Sequence, residues 1–124
     1  MGLVERDFLM RLVKQLAEVL ARAMKLKLGK KHEEAAEVIE SGCLTLLGID
    51  WQTLAWVDSK SAAQLLQTPA RIHAFATLLE NHGLLSEDKG DAAKARSKFQ
   101  HALELYREAG NDTGAVERLK AKLA

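Results

Sequence analysis

The chain has one cysteine and one proline in 124 residues. Cys43 therefore has no partner for an internal disulfide, and the paired-cysteine spacings of structural zinc sites are absent. Aromatics are few: three Phe, two Trp and one Tyr. Val, Ile and Thr together fill 14 positions, against 40 for Leu and Ala. A β-sandwich or barrel would need more β-branched residues and more turn-forming Gly, Pro and Asn than this. No apolar run approaches the roughly 18 residues of a membrane span. Glu5, Arg6 and Asp7 precede any sustained apolar stretch, which is wrong for a secretory signal. Arg6 also stands where a Met1-Gly2 acylation signal wants Ser or Thr. These absences point to a cytoplasmic protein. With 48% hydrophobic residues and a net charge of +1, disorder is excluded as well.

What is abundant is straight-chain helix former, and it recurs with helical period. Phe8, Leu9, Leu12, Val13, Leu16, Leu20 and Met24 return at steps of three and four, so a helix is expected from about Leu3 to Leu28, stopped by Gly29. Ala35, Ala36, Ile39, Cys43, Leu46 and Leu47 form one face of a second helix, ended by Gly48. So short a connection at Gly29 allows only an antiparallel hairpin. The next stretch is less regular. Asp50 is placed to cap a short helix bearing Trp51, Leu54, Ala55 and Trp56, and Asp58 or Ser59 to cap another. Thr68-Pro69 reads as a cap followed by Pro in the first turn. A helix to about Lys89 presents Ile72, Phe75, Ala76 and Leu79, and Gly90-Asp91 turns into one running to Ala109. Gly110-Asn111-Asp112 precedes a last helix with Val116, Leu119 and Leu123 on one stripe. The expected architecture is one all-α domain of five to seven helices: a hairpin over 1–47, an insertion over 48–68, a hairpin over 69–109 and a capping helix over 111–124.

The near-neutral total conceals a division. Residues 1–31 hold eight Lys/Arg and three Asp/Glu, a net of +5, and residues 32–58 hold six Asp/Glu and no Lys or Arg, a net of −6. Within the chain, such charges flank the seam of a helix pair. Between chains, a basic face meets an acidic face on another copy or partner.

The two hairpins also echo each other. Ala35, Ile39 and Gly42 match Ala95, Phe99 and Ala102 in spacing, and Ala23 and Gly83 stand at equivalent points of the preceding helices. Small residues at such positions let antiparallel helices approach closely, and the large one fills the groove between them. This spacing resembles the tetratricopeptide repeat over about two thirds of the chain. The echoes lie 60 residues apart where that repeat has 34, which makes the Trp-containing region an insertion. Val19 and Leu79 stand where the repeat has its first-helix aromatic, Arg22 and His82 where it has Leu, and Leu47 and Arg107 where it has Pro. Taken whole, the chain also resembles an uncharacterised family of short bacterial proteins with tetratricopeptide-like folds. That resemblance implies a fold and a bacterial origin, and no activity.

No residue pattern points to catalysis, a metal or a cofactor. His32, His73, His82 and His101 show no His-x3-His spacing, and His73 and His82 lie half a turn out of phase. His32 reads as part of an exposed first turn. Cys43 falls on a buried stripe, where a thiol behaves as a small hydrophobe. The expected role is a non-enzymatic protein-interaction or self-association module, with a homodimer among the expected partnerships, whose candidate interface comprises Trp51, Leu54 and Trp56 with Arg22, Lys25 and Lys27. Two other readings stay open. One is a small-molecule sensor with a pocket between the hairpins lined by Phe75, Phe99 and Tyr106. The other is an anionic-surface or nucleic-acid binder using Arg22, Lys25, Lys27, Lys30 and Lys31, although no aromatics interleave with that cluster.

Overall fold

A computed structural model describes residues 3–124, with side chains from Glu5 onward. The Met1-Gly2 signal considered above and the side chains of Leu3 and Val4 lie outside the described residues. Within them the chain is all helical: α1 (Leu3–Leu28), α2 (His32–Leu47), α3 (Trp51–Trp56), α4 (Ser59–Leu66), α5 (Pro69–Asp88), α6 (Ala92–Ala109) and α7 (Thr113–Leu123). No helix among the described residues is long and apolar enough to cross a membrane.

Helix starts follow the capping chemistry of the sequence. The side chains of Asp50, Asp58, Thr68, Asp91 and Asp112 each accept a hydrogen bond from the backbone N–H three residues on. Between the two candidates for α4, Asp58 caps, and Ser59 is buried with its hydroxyl donating to Glu104 Oε1 at 2.7 Å. Gly48 and Gly110 close α2 and α6 with left-handed backbones.

The two hairpin turns share one hydrogen-bond pattern. Lys31 N–H donates to Leu26 O and Lys30 N–H to Lys27 O; sixty residues on, Asp91 N–H donates to Ser86 O and Gly90 N–H to Glu87 O. Each is a Schellman motif whose pivot must take positive φ. In the second hairpin the pivot is Gly90, at φ 88°. In the first it is Lys30, at φ 60°, one residue past the glycine expected to stop the helix. Gly29 sits in the turn without carrying its strained torsion.

α5 is the central element. It pairs with α6 and also packs against α1, α2 and α4; α1 pairs with α2, and α7 lies on α6. Burial of α5 on several sides explains why Ala74, Phe75, Ala76, Leu78, Leu79 and Glu80 are all covered, leaving no clean polar face. All eight positions of the internal echo are buried: Ala23, Ala35, Ile39, Gly42, Gly83, Ala95, Phe99 and Ala102. A Cβ at Gly83 would stand 2.7 Å from the Phe99 ring, and one at Gly42 would stand 2.8 Å from Val19. Close helix approach is therefore the reason for glycine at both points.

The insertion α3–α4 is tied down at both ends. Arg71 donates from Nε to Leu66 O at 2.8 Å and from Nη2 to Leu47 O at 2.7 Å, joining the C-termini of α4 and α2. Between them Gln67 is held at φ 76°, and Thr68 N–H reaches back to Leu66 O.

Candidate interaction surfaces

The interface expected around the tryptophans divides in two. Leu54 is fully buried and so is removed from the candidate surface. A helix of six residues holds its place only by burying one face. Residues three apart share a face and residues two apart do not, so Trp51 and Leu54 turn inward while Trp56 turns away. Trp51 is half-buried, stacked on His82 with ring centroids 4.6 Å apart and edge-on to Phe75 at 5.5 Å. It pins the insertion to α5. Trp56 is 91% exposed, beside an open surface cleft lined by Asp50, Trp51 and Thr53.

The basic residues of the first helix are likewise separated. Arg22 and Lys25 line an open groove of about 980 Å³ along the outer side of the α1–α2 hairpin. Its floor is Val19, Leu26, Val38 and Leu46, and its other rim carries Glu34 and Glu37 from α2, with Ser41 and Thr45. Glu18 adds one acidic group to the α1 rim. Lys27 instead faces a small cleft with Ile39, Asn81 and Leu85 toward α5. Lys30 lies 3.8 Å from Asp88. Of the basic cluster, Arg22 and Lys25 thus face one groove, Lys27 another and Lys30 the Asp88 carboxylate. Among the described residues, Arg22, Lys25, Glu34 and Glu37 have no ion-pair partner within 4.0 Å.

Farther along α1, Phe8, Met10 and Val13 are exposed, as are Met24 and Leu28. The helix carries more apolar side chains than its neighbours cover. The pocket expected between the hairpins is not formed by its proposed lining. Phe75, Phe99 and Tyr106 are all buried in the core: Phe75 lies against Trp51, Phe99 fills the space beside Gly83, and the Tyr106 hydroxyl is taken up by hydrogen bonds.

The polar groups inside the molecule serve as ties between helices. Glu80, buried on α5, accepts two hydrogen bonds from Arg118 of α7, at 2.6 and 2.9 Å, and one from the Tyr106 hydroxyl at 2.8 Å. Burial, together with the neighbouring carboxylate, pushes the Tyr106 phenol well above its usual range despite a hydrogen bond with Thr77. Asp112 caps α7 and lies 3.0 Å from His73 Nε2 on α5; that hydrogen bond, with the cap, holds its carboxyl below the usual range.

Three features departed from sequence expectation or escaped it. His32 is largely covered and sits 2.6 Å from Asp88, lowering that carboxyl, because the N-terminus of α2 meets the C-terminus of α5. His82 lies 3.1 Å from Glu40 on α2, yet burial outweighs the carboxylate and depresses the imidazole. His101, edge-on to Phe75, is depressed for the same reason. Cys43 is fully buried, as its stripe suggested, and burial pushes its thiol up to about 12, which makes it inert. Among the described residues no cluster of His, Cys, Asp and Glu has the makings of a metal site. No protein-family model, curated protein or solved structure matches this chain.

Proposed function

We propose that this chain is a non-enzymatic interaction module of tetratricopeptide-like architecture, working in the bacterial cytoplasm by binding protein partners through exposed helix surfaces. The observation that carries the reading is Trp56. It is 91% exposed on a short helix whose other face is anchored by Leu54 and Trp51. An indole has only two side-chain torsions to fix on docking, and Trp is enriched among the residues that dominate binding energy. The shared turn pattern and the eight buried small-and-large positions support the hairpin-repeat architecture. Glu80, Tyr106 and His82 are engaged in helix-to-helix ties, which supports a structural use for them.

A photoreactive amino acid at position 56, expressed in the native host, tests this. A discrete cross-linked adduct is expected from position 56 and not from the exposed control position 64 on α4. The adduct should vanish when competed by unlabelled wild type, and persist against competing Trp56→Ala protein of unchanged helicity. Equal adducts from both positions, or none from position 56, would refute the reading.

A further inference from the structure

We infer that the outer groove of the α1–α2 hairpin is the seat of a second copy of this chain, paired about a two-fold axis parallel to the helices. The inference goes beyond the Trp56 reading and uses a different surface, so a monomeric protein would leave that reading standing.

The argument begins with what the groove leaves uncovered. Its floor includes Val19 and Val38, both only partly buried, and among the described residues its lining comes from α1 and α2 alone. Its rims are opposite in sign. Arg22 and Lys25 project from the C-terminal half of α1, and Glu34 and Glu37 from the N-terminal half of α2. Because the hairpin is antiparallel, these two halves lie at the same level along the groove. None of the four side chains has an ion-pair partner within 4.0 Å among the described residues.

A two-fold axis along the groove keeps that level and exchanges the rims. The α1 of one copy then lies over the α2 of the other, and Arg22 and Lys25 meet the partner's acidic rim twice by symmetry. The result is a four-helix arrangement with apolar residues inside and opposite charges along both seams. A two-fold axis across the groove would instead carry Lys25 toward the Thr45 end, away from the glutamates. Charge therefore selects one geometry. A nucleic acid or other polyanion is disfavoured as occupant because Glu18, Glu34 and Glu37 face the same groove.

Two charge-reversed proteins provide the test: Arg22→Glu/Lys25→Glu, and Glu34→Lys/Glu37→Lys. Sedimentation equilibrium of the full chain at micromolar concentration and low salt should show a dimer for wild type. Each reversed protein alone should dimerise at least roughly tenfold more weakly, given several exposed like-charge contacts per interface. An equimolar mixture should recover the dimer, since glutamates at positions 22, 25, 34 and 37 of one protein then meet basic residues at the same positions of the other. Recovery on mixing also shows that the substitutions act on pairing and not on folding. A monomeric wild type, or reversed proteins that pair as wild type does, or a mixture no tighter than its components, would overturn the inference.

Discussion

Gly83→Ala offers a sign test of the helix packing. In an exposed helix interior this substitution stabilises by about 1 kcal/mol, because alanine restricts the unfolded chain and favours helix. Here the new methyl would stand 2.7 and 2.9 Å from two carbons of the Phe99 ring and 3.3 Å from Lys98 Cβ. Ordinary carbon contacts lie near 3.5–4.0 Å, so the ring must retreat by the better part of an ångström. Phe99 is buried between α5 and α6 and has little room to do so without spreading the hairpin. Overpacking of this kind costs about 1–3 kcal/mol. Set against the propensity gain of about 1 kcal/mol, a net loss of up to about 2 kcal/mol is expected. For a domain of this size each kcal/mol lost lowers Tm by roughly 3–5 °C.

Urea unfolding followed by circular dichroism measures this loss directly. Phe99→Leu in the same background should absorb part of the strain, giving a coupling of about 1 kcal/mol in a double-mutant cycle. For Gly42→Ala the three nearest atoms all belong to Val19, at 2.8, 2.9 and 3.5 Å, and Val19 borders the open groove, so its penalty should be smaller. A Gly83→Ala protein stabilised by the full ~1 kcal/mol of an exposed helix site would refute the close-approach argument.

Three further predictions concern the ties and turns. Lys30→Gly should stabilise by about 1 kcal/mol, because Lys30 holds a positive φ that the equivalent Gly90 holds without strain; a lower urea midpoint would contradict this. Glu80→Ala removes both acceptors of the Arg118 guanidinium and one of the two partners of the Tyr106 hydroxyl, and should cost about 1–3 kcal/mol, whereas the same change at exposed Glu117 should cost under about 0.5; equal losses would show that the Glu80 tie is not a special one. His82 and His101 are held below their ordinary 6.5, so the unfolded chain takes up these protons first, and stability should fall as pH drops through 6.5. His82→Gln/His101→Gln should flatten the urea midpoint in that window. The separate loss at more acid pH, where the lowered carboxyls of Asp88, Asp112 and Glu104 protonate, should remain.

Helices, caps and the hairpin core were legible because each rests on local chemistry. Asp50, Thr68 and Asp91 cap by bonding three residues on, and Ala35 or Gly83 announces itself by being small in an apolar face. Composition alone marks the whole Trp-containing stretch as a candidate surface and so puts Leu54 there, whereas Leu54 is fully buried. Helical phase alone separates Trp51 and Leu54 from Trp56. The ties were illegible for a different reason. Glu80 meets Arg118 across 38 residues, Ser59 meets Glu104 across 45, and His32 meets Asp88 across 56. Nothing local marks such pairs, since each depends on which helices become neighbours. The charge division was visible from the start, but its meeting in one groove required knowing which faces of α1 and α2 point outward. Lys27, equally basic, points the other way.

The claim that the chain acts by contact, first of all with itself, is tested most directly by cysteine cross-linking. Cys43, buried and with its thiol raised to about 12, does not compete as a reactive thiol. Lys25→Cys and Glu37→Cys are prepared as separate proteins and oxidised alone and mixed. In the paired geometry α1 lies over the partner's α2, while the two α1 helices are diagonal to each other and so are the two α2 helices. The prediction is a disulfide-linked dimer in the mixture and none from either protein alone. Linkage within a single variant, or none in the mixture, would contradict it.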